Sequence, residues 1–545
     1  MVGGLVGEKC GVARQNGTAS RRHTETRPSG SYAQPSRRIS PKEHGVSGEQ
    51  ECPRAFACPP KHGRPGKPSH VPRSFFPLSR TGFSSQSAAA SRILCAQFTL
   101  PLLARLAAAS QCSVGTSSTS LNMTTPAQSP TRKKKPRRVN VRRPDVMTLV
   151  QGEVERHYRS SVVERIRESG GIYTVGTTTI RLAKQFGFCY GVERAIDLAY
   201  ASRRVFPDSR IFLIGEIIHN QEVNHQLDRM NIRSLAWQEL TDDYDQLTPD
   251  DVVIVPAFGA PTEFMDKIEE RGCQVVDTTC GDVMSVWRRV RTYAKEGFTS
   301  IIHGKAGHEE TRATASRALG DDGNGHYIVI LNPAECDLVC DFIRHSGDPK
   351  AFMERFQNAC SPGFDPNAHL KRIGVANQTT MLKSETEELQ RRLQQAIVDR
   401  DGPEAAADHF RVFDTICGAT QERQDALFDM LNHPMDLLLV VGGYNSSNTS
   451  HLVEIGQEHL PSFFIRNADC LRSLEEIVHF DLDRKEEVPA YTKKLAGEGP
   501  IVVGITAGAS CPNNLIEATI LKVLELRGEE IPADLLKAAE HNGIA

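Results

Sequence analysis

The feature that most constrains this chain is a cysteine turn that occurs three times. Phe186–Asp197 reads Phe-Gly-Phe-Cys-Tyr-Gly-Val-Glu-Arg-Ala-Ile-Asp, with Cys189 on a turn flanked by Gly187 and Gly191. The turn lies between the β-branched run Thr177–Ile180 and an Ala/Leu-rich helical pattern, which places the sulfur near a helix N-terminus. Backbone N–H groups and the helix dipole favour a thiolate there. Val275–Val283 repeats the setting around Cys280, and Val412–Gln424 repeats it around Cys417. Asp277-Thr-Thr-Cys-Gly and Asp414-Thr-Ile-Cys-Gly are near copies of one another.

The segments downstream of the cysteines are repeated too. About one helix later comes an apolar strand ending in glycine and then a polar side chain, in Ile211–Asn220, Ser300–Glu310 and Leu437–Asn448. A further strand closes each unit, in Val252–Gly259, Ile373–Thr380 and Ile501–Ser510. A repeat of this kind settles architecture better than any single motif. Short apolar strands alternating with amphipathic helices imply an α/β fold with parallel sheets. The expected division is residues 144–272 for a lead-in helix and first unit, 273–400 for a second unit with an insertion, and 401–545 for a third unit with a C-terminal helix. Long helices are expected over Ser384–Arg400 and Pro512–Arg527.

The bulk properties limit the function classes. A chain of 545 residues exceeds one core. The net charge of −2 argues against a general polyanion binder, and no nucleic-acid partner is expected. The 14 cysteines are scattered rather than arranged as a disulfide framework, so thiols or metal ligands are expected. No apolar run reaches the roughly 18 residues that a membrane-spanning helix needs, and a soluble protein is expected.

Residues 1–143 differ in composition. They are rich in Ser, Arg, Pro and Gly, and no acidic residue lies between Glu51 and Asp145. Such a segment cannot bury enough apolar area to offset its ordering entropy, and it reads as a targeting or disordered extension. The apolar stretch Ile93–Ala109 followed by basic, Ser/Thr-rich sequence suits a two-part plastid address, and Met123 is an alternative start. The basic run Arg132–Arg138 reads as a solvated part of that tail.

Three cysteines on equivalent turns of a pseudo-threefold assembly face one axis. Three thiolates are too few for a closed structural zinc site, which takes four protein ligands. They suit a cubane iron–sulfur cluster with one iron left open to substrate. Cys273, Cys336, Cys340, Cys360, Cys470 and Cys511 lack the shared context and read as structural.

The motifs together resemble those of the 4-hydroxy-3-methylbut-2-enyl diphosphate reductase family. The resemblance spans Thr177 to Leu526. It rests on the Gly-Phe-Cys-x-Gly-Val-x-Arg-Ala turn, Ile217-Ile-His-Asn, Asp277-Thr-Thr-Cys, Gln378-Thr-Thr, the Cys-x-Ala-Thr-x-x-Arg-Gln run from Cys417, Asn445-Ser-Ser-Asn and Thr506-Ala-Gly-Ala-Ser, all in family order. It implies a trefoil of three α/β units around a [4Fe–4S] cluster held by Cys189, Cys280 and Cys417. It also implies reductive dehydroxylation of an allylic diphosphate to isopentenyl and dimethylallyl diphosphates.

Under the resemblance, Glu310 is the proton-delivering carboxylate and Thr379 the hydroxyl bound to it. His219, His308, Ser446, Ser447, Asn448 and Ser510 are the expected donors to the diphosphate, on glycine-rich turns. No Gly-x-x-x-x-Gly-Lys-Ser/Thr loop occurs, so nucleotide hydrolysis is not supported. Two departures stand out. Phe258 occupies the turn where many bacterial members carry histidine, and His308-Glu-Glu replaces the family's His-Pro-Glu. Both resemble the plant and cyanobacterial branch and imply a plastid location and ferredoxin as electron donor. An iron–sulfur hydro-lyase and a non-catalytic iron–sulfur sensor are the competing readings.

Overall fold

The computed structural model of the chain describes residues 137–533 and residue 535. Most of the 1–143 extension, including Ile93–Ala109 and Met123, lies outside the described residues. Its last residues do not behave as a tail. Arg137–Arg138 pairs in parallel with Gln274–Val275, Val139 N–H donates to the Val275 carbonyl at 2.9 Å, and Val141 is buried. The folded chain therefore begins before the expected boundary at 144. A short strand and one valine suffice to tie it to a sheet edge.

Three mainly parallel sheets carry the rest. The first orders its strands as 137–138, 274–277, 252–255, 211–214 and 232–235. The second orders 410–412, 373–377, 299–303 and 327–330. The third orders 462–465, 437–441, 501–507, 178–182 and 172–175, the last of these antiparallel. Strands such as Val252–Val255 and Leu437–Leu439 are continuous apolar runs because helices cover both faces of each sheet. Separate apolar clusters fill the two faces of the first sheet, one centred on Ile196, Leu213 and Ile254 and the other on Tyr244, Val253 and Phe264.

The three sheets share one order. In each, the strand that closes the unit sits between the first strand after the cysteine and the strand that leads into the next cysteine. Thus Gln274–Asp277, which leads to Cys280, pairs with Val252–Val255 of the first sheet. Phe410–Val412, which leads to Cys417, pairs with Ile373–Val375 of the second. Thr178–Leu182, which leads to Cys189, pairs with Ile501–Ile505 of the third. The division at 272/273 and 400/401 put each of these strands in the unit that follows it. The sheets place each in the unit before, so every cysteine turn crosses from one unit to the next.

The expected helices occur, over Lys383–Asp401 and Asn513–Leu526, the latter followed by Gly528 at φ 68°. The lead-in is two helices, Pro144–Tyr158 and Ser161–Glu168. A hairpin, Glu476–Asp481 with Glu486–Tyr491, is an addition that the repeat did not suggest. Among the described residues no helix is long and apolar enough to cross a membrane.

Candidate active site

Each of the three cysteines is the N-cap of a helix. Cys189 precedes Tyr190–Val205, Cys280 precedes Gly281–Lys295 and Cys417 precedes Gly418–Leu431. All three line one cavity. Gly191 lets two of them approach: a Cβ there would lie 2.6 Å from Cys280 Sγ and 3.9 Å from Cys189 Sγ, the first of which is too close to tolerate. Any side chain at position 191 would intrude between these sulfurs.

At Cys280 and Cys417 the helix end alone does not deliver a thiolate. Burial pushes the Cys280 thiol up and the Cys417 thiol up to about 12, a hydrogen bond with Asp282 adding to the latter. Here desolvation outweighs the dipole, which is worth about 0.3–1 kcal/mol at an exposed end. Buried thiols of this kind ionise when a metal binds them, because a coordinated thiol loses its proton outright. Three softly ligating sulfurs at one cavity, with no fourth cysteine lining it, fit a cubane cluster with one iron not held by cysteine. The other described cysteines do not join them. Cys336 and Cys340 lie 3.8 Å apart, buried on the helix Pro333–His345.

A second ring of groups faces the sulfurs. Five residues beyond the end of the first strand after each cysteine stand His219, His308 and Ser446. His308 and Ser446 are N-caps of Glu309–Ala318 and Ser447–Gln457, and His219 precedes the cap Asn220 of Gln221–Arg229. Three more positive helix ends therefore meet the same cavity, an arrangement that favours an anion.

The side chains are set for one. His308 Nδ1 accepts the Glu310 N–H at 3.2 Å, and burial holds the imidazole well below its ordinary value. The neutral ring therefore carries its proton on Nε2, which is buried without a partner. His219 is flanked by carboxylates instead, with Nδ1 3.2 Å from Glu216 Oε2 and Nε2 3.6 Å from Glu309 Oε2. Asn448 Oδ1 accepts the Ala509 N–H at 2.9 Å, which leaves the Nδ2 donor unpartnered. Ser447 Oγ accepts from Gln378 Nε2 at 3.0 Å and keeps its own proton to give. Ser510 Oγ donates to the His219 carbonyl at 3.1 Å. Buried donors left unpaired cost on the order of 1–3 kcal/mol each, so two of them around one cavity, His308 Nε2 and Asn448 Nδ2, mark the place of a ligand rich in acceptors. The cavity is about 110 Å³, several times the roughly 10–15 Å³ that one water needs.

Glu310 lies between the two rings. It is 3% exposed and accepts two hydrogen bonds from Thr379, N–H to Oε1 at 2.6 Å and Oγ1 to Oε2 at 3.0 Å. Burial raises its carboxyl to about 7, against both of those bonds, which favour the charged form. A carboxyl that titrates near neutrality, beside a hydroxyl in the same cavity, can hold and release a proton. Phe258 stacks on His219, with centroids 4.5 Å apart and planes at 12°, so the expected loss of a histidine donor is the gain of an apolar wall.

All of the expected site residues line this cavity: Cys189, Cys280, Cys417, His219, His308, Glu310, Thr379, Ser446, Ser447, Asn448 and Ser510. Sequence reasoning missed Asp282, which lines the cavity two residues after Cys280, and the Glu216–Asn445 pair that holds His219. Asp282 sits in a stretch already singled out. The Glu216–Asn445 contact joins two units and leaves no trace in spacing.

The LytB protein family matches residues 180–524. A 4-hydroxy-3-methylbut-2-enyl diphosphate reductase of Thermosynechococcus vestitus is 46% identical over 384 residues, which is 70% of this chain and 92% of that protein. One of Gloeobacter violaceus is 47% identical over 384 residues, 70% of this chain and 90% of that protein. The likeness to a solved structure, the Plasmodium falciparum E-1-hydroxy-2-methyl-but-2-enyl-4-diphosphate reductase, is weaker, at 20% identity and a TM-score of 0.45 over 67% of this chain and 98% of that one. Sequence identity of this extent over most of both proteins settles the family and the class: the chain belongs to the LytB family of 4-hydroxy-3-methylbut-2-enyl diphosphate reductases and is an oxidoreductase.

Proposed function

We propose that the chain reduces (E)-4-hydroxy-3-methylbut-2-enyl diphosphate to isopentenyl diphosphate and dimethylallyl diphosphate, with its three units set as a trefoil around a [4Fe–4S] cluster. The observation that carries this reading is the meeting of three cysteine-capped helices with two unpartnered donors and a neutral-range carboxyl in one buried cavity. Cys189, Cys280 and Cys417 hold the cluster. When bound, it supplies single electrons and a Lewis-acidic iron at the substrate's hydroxyl.

The chain's own residues do the rest. His308 Nε2, Asn448 Nδ2 and Ser447 bind the diphosphate, Ser510 joins them by turning its hydroxyl from the His219 carbonyl, His219 sits beside it, and the helix N-termini behind them lower the cost of its charge. The burial of these groups excludes bulk water and strengthens each contact. Per turnover, two electrons and two protons replace a C–O bond by C–H and release water. Glu310 holds one of those protons at its carboxyl and passes it through the Thr379 hydroxyl or directly to the departing oxygen. Phe258 keeps the wall beside His219 apolar.

The acid-poor, Ser- and Arg-rich sequence before Asp145 supports import into a plastid. A one-electron iron–sulfur carrier, ferredoxin, suits a centre that accepts electrons singly. The test is turnover of the allylic diphosphate by anaerobically purified protein with ferredoxin as the reductant. Consumption of two electrons per product supports a reductase. Product formation without electron uptake would make the chain a lyase instead.

A further inference from the structure

Three arginines repeat one relation around the cysteines. Arg194, on the helix that starts at Cys189, donates from Nη1 to the carbonyls of Thr278 at 3.0 Å and Thr279 at 3.2 Å, the two residues before Cys280. Arg289, on the helix that starts at Cys280, lies over Phe413, 3.8 Å from the ring centroid, on the chain leading into Cys417. Arg423, on the helix that starts at Cys417, donates from Nη2 to the Gly187 carbonyl at 2.6 Å, two residues before Cys189. Each helix begins at one cysteine and grips the approach to another, and the three links close a ring.

The links are unequal. Arg289 is exposed and Arg194 half-buried, so water already solvates part of their charge. Arg423 is 4% exposed, and its Nε has no hydrogen-bond partner. Among the described residues no carboxylate forms an ion pair with it, and its other bond, from Nη1 at 2.8 Å, goes to the Ala419 carbonyl of its own helix. Burial disfavours its charge, and the sulfurs of Cys189 and Cys417 are among the groups that support it, with Glu193 and Glu422. A buried guanidinium is costly unless negative charge faces it. Neutral thiols do not supply that charge. Cluster-bound thiolates at Cys189 and Cys417 add that charge to what Glu193 and Glu422 supply.

We propose that Arg423 is a positioning residue for the cluster, fixing the Cys189 turn through Gly187 and serving as the buried counter-charge of the three-thiolate centre. The inference rests on the cluster reading of the cysteines. A fixed positive charge in a poorly solvated setting stabilises the reduced, more negative centre and so raises its reduction potential. Arg194 and Arg289 hold their turns without contributing a buried charge.

The experiment compares wild type, R423K, R423Q and R194Q, each purified anaerobically as the full chain, by iron content and by redox titration followed with electron paramagnetic resonance. The expected result is a lowered midpoint potential in R423Q, a potential near wild type in R423K, and no shift in R194Q. R423K keeps the charge but loses the planar fork, so its iron should be lost to a chelator several-fold faster than that of the wild type. An unshifted potential in iron-loaded R423Q overturns the proposal. Should R423Q hold no iron, R423K decides: a lowered potential, or no iron uptake, with the charge retained overturns it. A wild-type protein without a cubane signal would be a failure of the cluster reading, visible before any variant is compared.

Discussion

On one side of the cavity three like residues stand in like places. Cys189, Cys280 and Cys417 each cap a helix of 14 to 16 residues. On the other side the places are again alike but the residues differ. The loops after the three closing strands present Phe258, the pair Thr379–Thr380, and Ser510, and the loops after the first strands present two imidazoles and a serine. The proposed function accounts for the difference by what each side would hold. A near-symmetric cluster would be met by the same ligand from every unit. An allylic diphosphate has a charged end, an apolar middle and a reacting oxygen, so three equivalent loops would have to diverge to serve it. The threefold frame supplies positions, and divergence on one side supplies chemistry.

The strongest way to break the comparison is on the side that is alike. Replacing any one cysteine, as in C280A, should remove most bound iron and essentially all turnover, read by iron analysis and product formation. If one of the three could be removed without loss of either, equivalence of the three turns would fail. Next comes Glu310. E310Q should lower turnover by about 10²–10⁴-fold while leaving iron content near wild type, the span usual for a general acid. The same variant carries a stability signature. The Glu310 carboxyl is raised from 4.5 to about 7, so the folded state holds its proton more firmly than the unfolded chain. That contribution is whole below pH 4.5 and is lost as pH rises through 7. Relative to wild type, E310Q should therefore gain up to roughly 3 kcal/mol between pH 4.5 and pH 8, by the linkage of about 1.4 kcal/mol per pKa unit. Thermal denaturation at those two pH values checks it, and a gain that is absent at pH 8 would contradict the burial.

Smaller effects sharpen the divergent side. N448A removes an unpartnered donor and should raise KM for the diphosphate about 10–100-fold with iron unchanged, in line with roughly 1.5–3 kcal/mol for a hydrogen bond to a charged group. F258H should act least. A third imidazole beside His219 and His308 should lower KM by about fivefold or less, as one added neutral donor is worth about 1 kcal/mol. A rise in KM instead would mean that the stacked apolar wall matters more than the lost donor.

Much of this was legible in the sequence because it is local. A glycine-flanked cysteine before a helical pattern became a helix N-cap three times, and His219, His308 and Ser446 fell where strand and helix periods put them. The sheet that each pre-cysteine strand joins was not legible. Thr178–Leu182 has the same apolar pattern whichever neighbour it pairs with, and its partner, Ile501–Ile505, lies at the far end of the described chain. The ionisation of the Cys280 and Cys417 thiols was also misjudged from the sequence. A helix end can be read from a motif, whereas the burial that overrides it at Cys417 depends on all three units at once. The cost of Phe258 was visible as a missing donor, but its stacking on His219 needed coordinates.

The most direct measurement is Mössbauer spectroscopy of ⁵⁷Fe-loaded protein, purified anaerobically, with and without (E)-4-hydroxy-3-methylbut-2-enyl diphosphate. A cubane cluster held by three cysteines should show one iron distinct from the other three, and the signal of that iron alone should change when the substrate is added. Four equivalent irons, or a spectrum indifferent to the diphosphate, would contradict the account.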